Sequence, residues 1–249
     1  MAEIKIAAES GHWYEKDGTP RYTLIGANGK ERNTTLRDAR KMNLFPSVTT
    51  VIACAAQPQL EKWKRNQVLM AALTLPRNDG ESEVEWIARV EEDWQQEGRA
   101  AAERGTQIHA AVEQSFRGET PAADLIPFVL AATAKLPPAT QFTPERSFAC
   151  LSGYGGKTDL CAIDGSWLID VKTKDGDLPD SIYDSHVMQL AAYRAGMGMH
   201  FARCGILYVA RDRPEATLVE AAEESLQQGG SMFNALLLYW QAKNKYKPQ

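Results

Sequence analysis

Asp170-Val171-Lys172 sets a carboxylate and an ammonium two positions apart at the end of the apolar run Trp167-Leu168-Ile169. That run reads as a strand, and period-two alternation then puts Asp170 and Lys172 on one face. Side by side they can bind a metal ion and meet an anionic substrate, or they can be a strand-surface ion pair. Asp159 stands eleven residues earlier, after Gly156-Lys157-Thr158. The Asp164-Gly165 pair between the two runs is a hairpin signal, and folding back there brings both carboxylates onto neighbouring strands.

Upstream, Ala101, Gly105, Ile108, Val112 and Phe116 recur at spacings of three and four, which predicts an inward helical stripe. His109 lies beside that stripe, one turn after Gly105, as a metal ligand or a core histidine. Glu145 opens the first predicted strand and is a further candidate ligand, or an exposed strand-end acid. Gln189 and Tyr193, four apart, share one face of a later helix.

These residues need elements to position them. Two aromatic runs, around Trp13-Tyr14 and Tyr22-Thr23-Leu24, flank Asp17-Gly18 and close at Asn28-Gly29, predicting a small hairpin. A short basic helix is expected over Thr35 to Met42. Ser47 caps a second helix, and Pro58 separates it from a basic helix over Leu60 to Leu75. Val84 to Phe116 reads as one long helix or two joined ones, ended by Gly118. Ala122 to Lys135 follows and stops at Pro137-Pro138. The pattern then turns to strands over Glu145 to Cys150, Tyr154 to Ile163 and Trp167 to Lys172. Ser181 to Met197 is helical, Cys204 to Ala210 a buried strand, and Pro214 to Lys243 mostly helix. Three strands, a crossover helix and a fourth strand make a mixed α/β sheet, whose sites open at strand ends.

Composition sets limits. The 249 residues are 44% hydrophobic and 24% charged, so a folded core is expected. No apolar stretch reaches the roughly 18 residues of a membrane span, and the start MAEIKIAAES resembles neither a secretory nor a transit signal, so no membrane partner and a cytoplasmic location are expected. Cys54, Cys150, Cys161 and Cys204 form no CxxC pair, which excludes a zinc knuckle or a redox motif and predicts buried free thiols. The net charge of -4 is segregated: residues 1–78 carry 12 Lys/Arg against 7 Asp/Glu, and residues 79–119 carry 4 against 11. The basic part, 1–78, is expected to form an N-terminal hairpin and helical lobe that can meet phosphates, with the core over 79–249. Trp13, Tyr14 and Trp63 lie in it and can stack on unpaired bases or belong to the core.

Gly105-Thr106-Gln107-Ile108-His109, Gly156-Lys157-Thr158-Asp159, Asp170-Val171-Lys172 and Gln189-Leu190-Ala191-Ala192-Tyr193 together resemble, in order, the motif series of the PD-(D/E)xK nuclease superfamily. The resemblance is closer to its RecB-like branch, which includes the RecB and AddB nuclease domains, the CRISPR adaptation nucleases and the mitochondrial genome maintenance exonuclease. Pro46-Ser47-Val48-Thr49-Thr50-Val51-Ile52 and Leu60-Glu61-Lys62-Trp63 also resemble that branch's helical entry. The resemblance implies a restriction-endonuclease-like αβββαβ core and metal-dependent hydrolysis of DNA, with DNA as the partner. Asp159 and Asp170, the Val171 carbonyl, His109 and Glu145 would serve Mg²⁺ or Mn²⁺. Lys172 would orient the attacking water, and Gln189 and Tyr193 would support the site or touch DNA. Lys157 would contact phosphate or remain solvated.

Members of the branch with an iron-sulfur cluster carry three cysteines after the nuclease core, whereas nothing follows Cys204 here, so no cluster is expected. No GxxxxGK[ST] phosphate loop occurs either. These features together imply a free-standing exonuclease, acting on single-stranded ends in phage or bacterial recombination, repair or replication. A duplex exonuclease or endonuclease, and a non-catalytic DNA-binding protein on the same fold, are the alternatives.

Overall fold

The computed structural model describes residues 11–249 except residue 57, and leaves aside the side chains of residues 59, 60, 97 and 101. Its elements are, in chain order, β1 (Trp13–Tyr14), β2 (Thr23–Ile25), β3 (Glu31–Asn33), α1 (Leu36–Met42), β4 (Phe45–Pro46), α2 (Val48–Ile52), α3 (Pro58–Thr74), α4 (Glu83–Phe116), α5 (Ile126–Thr133), β5 (Phe142–Cys150), β6 (Tyr154–Ala162), β7 (Trp167–Lys174), α6 (Asp184–Gly196), β8 (Arg203–Ala210), β9 (Ala216–Glu220) and α7 (Glu223–Asn244).

The five-stranded sheet has the order β5-β6-β7-β8-β9. β5, β6 and β7 form an antiparallel meander, α6 crosses over to make β8 parallel to β7, and β9 returns antiparallel to β8. α4 and α5 cover one face, where Ile108, Val112, Phe128 and Val129 pack on Leu160, Ile169, Val171 and Leu207. α2, α6 and α7 cover the other, around Cys161, Leu168, Leu190, Ile206, Phe233 and Trp240. Both faces are apolar because a parallel pair with a crossover helix is buried on both sides.

Local sequence explains most boundaries. Thr35 and Asp38 form a capping box on α1, and Ser82 and Glu85 form another on α4. Ser47 Oγ accepts the Thr50 N–H at the start of α2. The long run before Gly118 is one unbroken helix of 34 residues. Gly105 on α4 faces Thr173 of β7 so closely that a Cβ would lie 2.5 Å from its Oγ1. The glycine therefore lets helix and strand approach where the site begins. Ala101, the first residue of the predicted stripe, lies outside the described side chains.

The expected hairpin forms: the chain reverses at Asp17-Gly18, the Glu15 N–H donates to the Thr19 carbonyl, the Arg21 N–H to the Trp13 carbonyl, and Tyr14 meets Tyr22; β1 also pairs with β4, and β2 with β3 across the Asn28-Gly29 turn. Two expectations change. Residues 216–220 are a strand, not helix, because an antiparallel β9 covers the edge of β8 and buries Ala216 beside Val209. Trp13 and Tyr14 are 1% and 3% exposed, so they cannot stack on bases. Trp13 donates to the Thr34 carbonyl and meets Trp240 edge-on, while Trp63 is 50% exposed on α3. Of the four free thiols, Cys161 and Cys204 are buried and Cys54 and Cys150 half-buried. No helix among the described residues is long and apolar enough to cross a membrane.

Gly156 of β6 has no room for a side chain: an added Cβ would lie 2.6 Å from Tyr193 and 3.0 Å from Phe148. Gly156→Ala should therefore lower stability by about 1–3 kcal/mol through overpacking, read as an earlier urea midpoint at unchanged m-value; an unchanged midpoint would contradict this packing.

Candidate functional site

The site lies where β6 and β7 part. Their ladder pairs Cys161 with Leu168 and Leu160 with Ile169. One step further the Val171 N–H is taken not by a backbone carbonyl but by the Asp159 carboxylate, at 2.6 Å. The cause is a break in alternation. Tyr154 and Gly156 face the α6 side, yet Leu160, also even-numbered, packs on the α4–α5 side, so the strand changes phase across residues 157–159. β5 changes phase opposite it: Phe142 and Phe148 face opposite sides, and Glu145 between them has φ +53°. A left-handed non-glycine residue at a strand irregularity is a local strain of the kind found at functional sites.

This break turns Asp159 toward α4, where its Oδ2 lies 3.0 Å from His109 Nε2. Asp170 turns to the opposite helix layer. It is 2% exposed, and its Oδ1 accepts from Gln189 Nε2 at 2.7 Å. The same amide donates to Tyr193 Oη at 2.9 Å, so Gln189 uses both protons on residues of the site. Lys172 Nζ pairs with Asp170 Oδ2 at 2.7 Å, its one close partner on that side among the described residues. His109, Val171 and Lys172 share the lining of a cavity of about 490 Å³ with Gly105, Glu113 and Glu145.

The residues singled out by sequence thus divide. His109, Asp159, Asp170, Lys172, Gln189 and Tyr193 form one linked set, and Val171 joins it through its N–H. Glu145 lines the cavity, but its carboxylate is engaged by Lys157 and Arg117. Glu113, one turn after His109, escaped the sequence reading. It shares a hydrogen bond with Glu145, and burial with that acidic neighbour raises its pKa. Its position four residues beyond His109 was the available cue.

Electrostatics sort the ionisable groups. Burial opposes charge on Lys172, but the Asp170 and Asp159 carboxylates outweigh it and hold the ammonium pKa above its usual value. Lys172 is therefore a cation and not a ready base. Burial also opposes charge on His109 and Asp159, yet their mutual hydrogen bond raises the imidazole and lowers the carboxyl. Asp170 goes the other way: burial wins over Lys172, and its pKa is pushed up to about 6. His186 on α6, buried near Lys172 and Lys174, is pushed down to about 3 and stays neutral.

As for a metal, no group of three His, Cys, Asp or Glu side chains among the described residues forms a ready-made cage. His109 and Asp159 hold each other, and Asp170 is held by Lys172 and Gln189. The donors nonetheless fit a hard cation: two carboxylates lie on adjacent strands, close enough that the charges of Asp159 and His109 both act on Asp170. Mg²⁺ is commonly held by one or two carboxylates, the remaining positions being left to substrate oxygens and water.

Two outcomes follow from Asp170. The folded-state pKa, about 6, lies above the unfolded value of about 3.9, so the native state holds the extra proton. The stability this group contributes is then full below about pH 4 and is lost as pH rises through about 6. In metal-free urea titrations, Asp170→Asn should show a smaller loss over that window than the wild type; equal slopes would contradict the assignment. Gln189→Leu, which leaves the buried Oδ1 without its donor, should cost about 1–3 kcal/mol in the same assay at pH 7.

No family model matches the sequence, and no curated protein matches it. Among solved structures, the chain is similar to a protein from Eubacterium rectale described as "Putative exonuclease", at 13% identity and TM-score 0.42, over 57% of this chain and 68% of that one. It is also similar to SSO0001, at 16% identity and TM-score 0.34, over 71% of this chain and 86% of that one.

Proposed function

We propose that the chain is a metal-dependent DNA exonuclease of the PD-(D/E)xK superfamily, RecB-like branch, acting on single-stranded ends. The observation that carries the reading is the linkage of four distant motif groups at one strand parting. His109 bonds Asp159, Asp159 holds Val171 N–H, Lys172 pairs with Asp170, and Gln189 braces Asp170 from behind. A structural ion pair needs two of these residues, and a phosphodiester hydrolase has work for all of them.

Asp159 and Asp170, with the Val171 carbonyl and His109, would hold Mg²⁺ or Mn²⁺; His109 makes Mn²⁺ the more congenial of the two. When bound, the cation supplies a Lewis acid on the scissile phosphate and a bound water of lowered pKa. The chain's own groups do the rest. Gln189 fixes the Asp170 carboxylate and Tyr193 fixes Gln189, so the ligand needs little reorganisation. Lys172, a cation throughout the neutral range, stabilises negative charge on the phosphate and on the incoming oxygen. His109 must leave Asp159 or share it when both become ligands. Glu145, already neutralised by Lys157 and Arg117, shapes the cavity wall in this reading.

The positive excess in residues 1–78 suits approach of a polyanion. An enzyme of this class serves phage or bacterial recombination, repair or replication.

The experiment is digestion of end-labelled linear single strands, duplexes and closed single-stranded circles with Mg²⁺, Mn²⁺ or EDTA. Linear single strands should be degraded and circles spared, with no product in EDTA. Asp170→Ala and Lys172→Ala should each lower the rate about 10²–10³-fold or more while keeping the wild-type circular-dichroism spectrum. Cutting of circles would replace exonuclease by endonuclease, faster loss of duplex would reverse the strand preference, and full activity in both variants would sink the assignment.

A further inference from the structure

β7 and α6 run face to face for three steps. Asp170 meets Gln189 by a hydrogen bond, the Lys172 charge bears on His186, and Lys174 Nζ lies over the Tyr183 ring, 4.8 Å from its centre. Two residues along a strand advance about 6.6 Å and three along a helix about 4.5 Å, so the elements stay in register over this distance. The first two steps belong to the proposed cleavage site. The third has no task in it.

That third step is built in an unusual way. Lys172 is compensated by Asp170, and Arg211 beside it by Asp175. No carboxylate among the described residues stands within salt-bridge distance of the Lys174 ammonium; the charge of Asp175, held by Arg211, acts on it from farther off, and an aromatic ring is its close partner. Such a contact is worth only about 0.5–1 kcal/mol at an exposed position, so an arriving anion can displace it. Tyr183 is 42% exposed, a large share for a ring packed at the start of a helix. His186 meets it edge-on, with ring centroids 5.6 Å apart, and is itself tied to Tyr208 Oη at 3.4 Å. The ring is therefore propped by a neutral group while part of its surface stays open.

We propose that Lys174 and Tyr183 form a nucleotide subsite next to the scissile position, the ammonium taking one backbone phosphate of a single DNA strand and the ring stacking on that nucleotide's base. The inference rests on the nuclease reading and deepens it. A ring can stack only on a base free of its pairing partner, so the subsite selects unpaired strand. Stacking is indifferent to base identity, so it grips without reading sequence.

The test compares kcat/KM on linear single strands that carry one abasic nucleotide at successive positions from the cut, for wild type, Tyr183→Ala, Tyr183→Phe and Lys174→Gln. In the wild type, one abasic position beside the cut should lower kcat/KM about tenfold. Tyr183→Ala should lose as much on the normal strand and become blind to that position, and Tyr183→Phe should restore the wild-type pattern. Lys174→Gln should raise KM with kcat retained and flatten the salt dependence. Should Tyr183→Ala fail to fold, the wild-type abasic series and Lys174→Gln still decide. Normal cutting that is blind to every abasic position, or a Tyr183→Ala loss equal on normal and abasic strands, overturns the subsite alone. A wild type that cuts no DNA overturns the nuclease reading together with it.

Discussion

Taking a carboxylate out of water costs several kcal/mol unless other groups compensate it, and Asp170 is almost wholly buried at the seam between a sheet and a helix. Two elements meet that cost. β7 supplies Lys172 two residues on, and α6 supplies both the Gln189 amide and, one turn later, Tyr193, which occupies the amide's second proton. The compensation is incomplete: burial outweighs it, and the pKa stays high. A site that satisfied Asp170 fully would have nothing left with which to bind a ligand.

The same charge governs its neighbours. Asp170 and Asp159 keep Lys172 protonated, and burial, reinforced by Lys172 and Lys174, keeps His186 neutral. The result is a graded row along β7: a carboxylate, an ammonium in a close ion pair, and an ammonium without one. Its opposite bank on α6 is an amide, a neutral imidazole and a phenol. This ordering depends on β7 and α6 being joined by a parallel crossover, which brings the helix back over the strand that precedes it.

Burial of the N-terminal aromatics ties the basic segment to this core. Trp13 packs on Trp240 of α7, Ser47 bridges to Gly155, and an added Cβ at Gly155 would sit 3.0 Å from Tyr14. Tyr14 and Ser47 therefore stand against β6, and the Glu145 charge acts on Tyr14.

Much of the fold was legible in the residues themselves. The cap at Ser47, the Asp164-Gly165 turn and the apolar period of α4 are local properties, and local properties are written along the chain. The spacing of Asp170 and Lys172, and of Gln189 and Tyr193, likewise set their shared faces before any tertiary contact. Residues 216–220 were misread as helix because a five-residue edge strand is defined by its partner β8 rather than by its own period. Glu113, His186, Lys174 and Tyr183 were passed over for the same reason: each gains meaning only from a residue far away in sequence. Whether Trp13 touches a base or a core was likewise settled by packing. The sequence by itself determined which chemical groups are present and on which elements they ride. Tertiary structure alone decided that β6 changes phase at Asp159, that Asp159 is partnered from α4 and the neighbouring Asp170 from α6, and that burial opposes Coulomb attraction strongly enough to leave one carboxylate ionised and the other poised near neutrality.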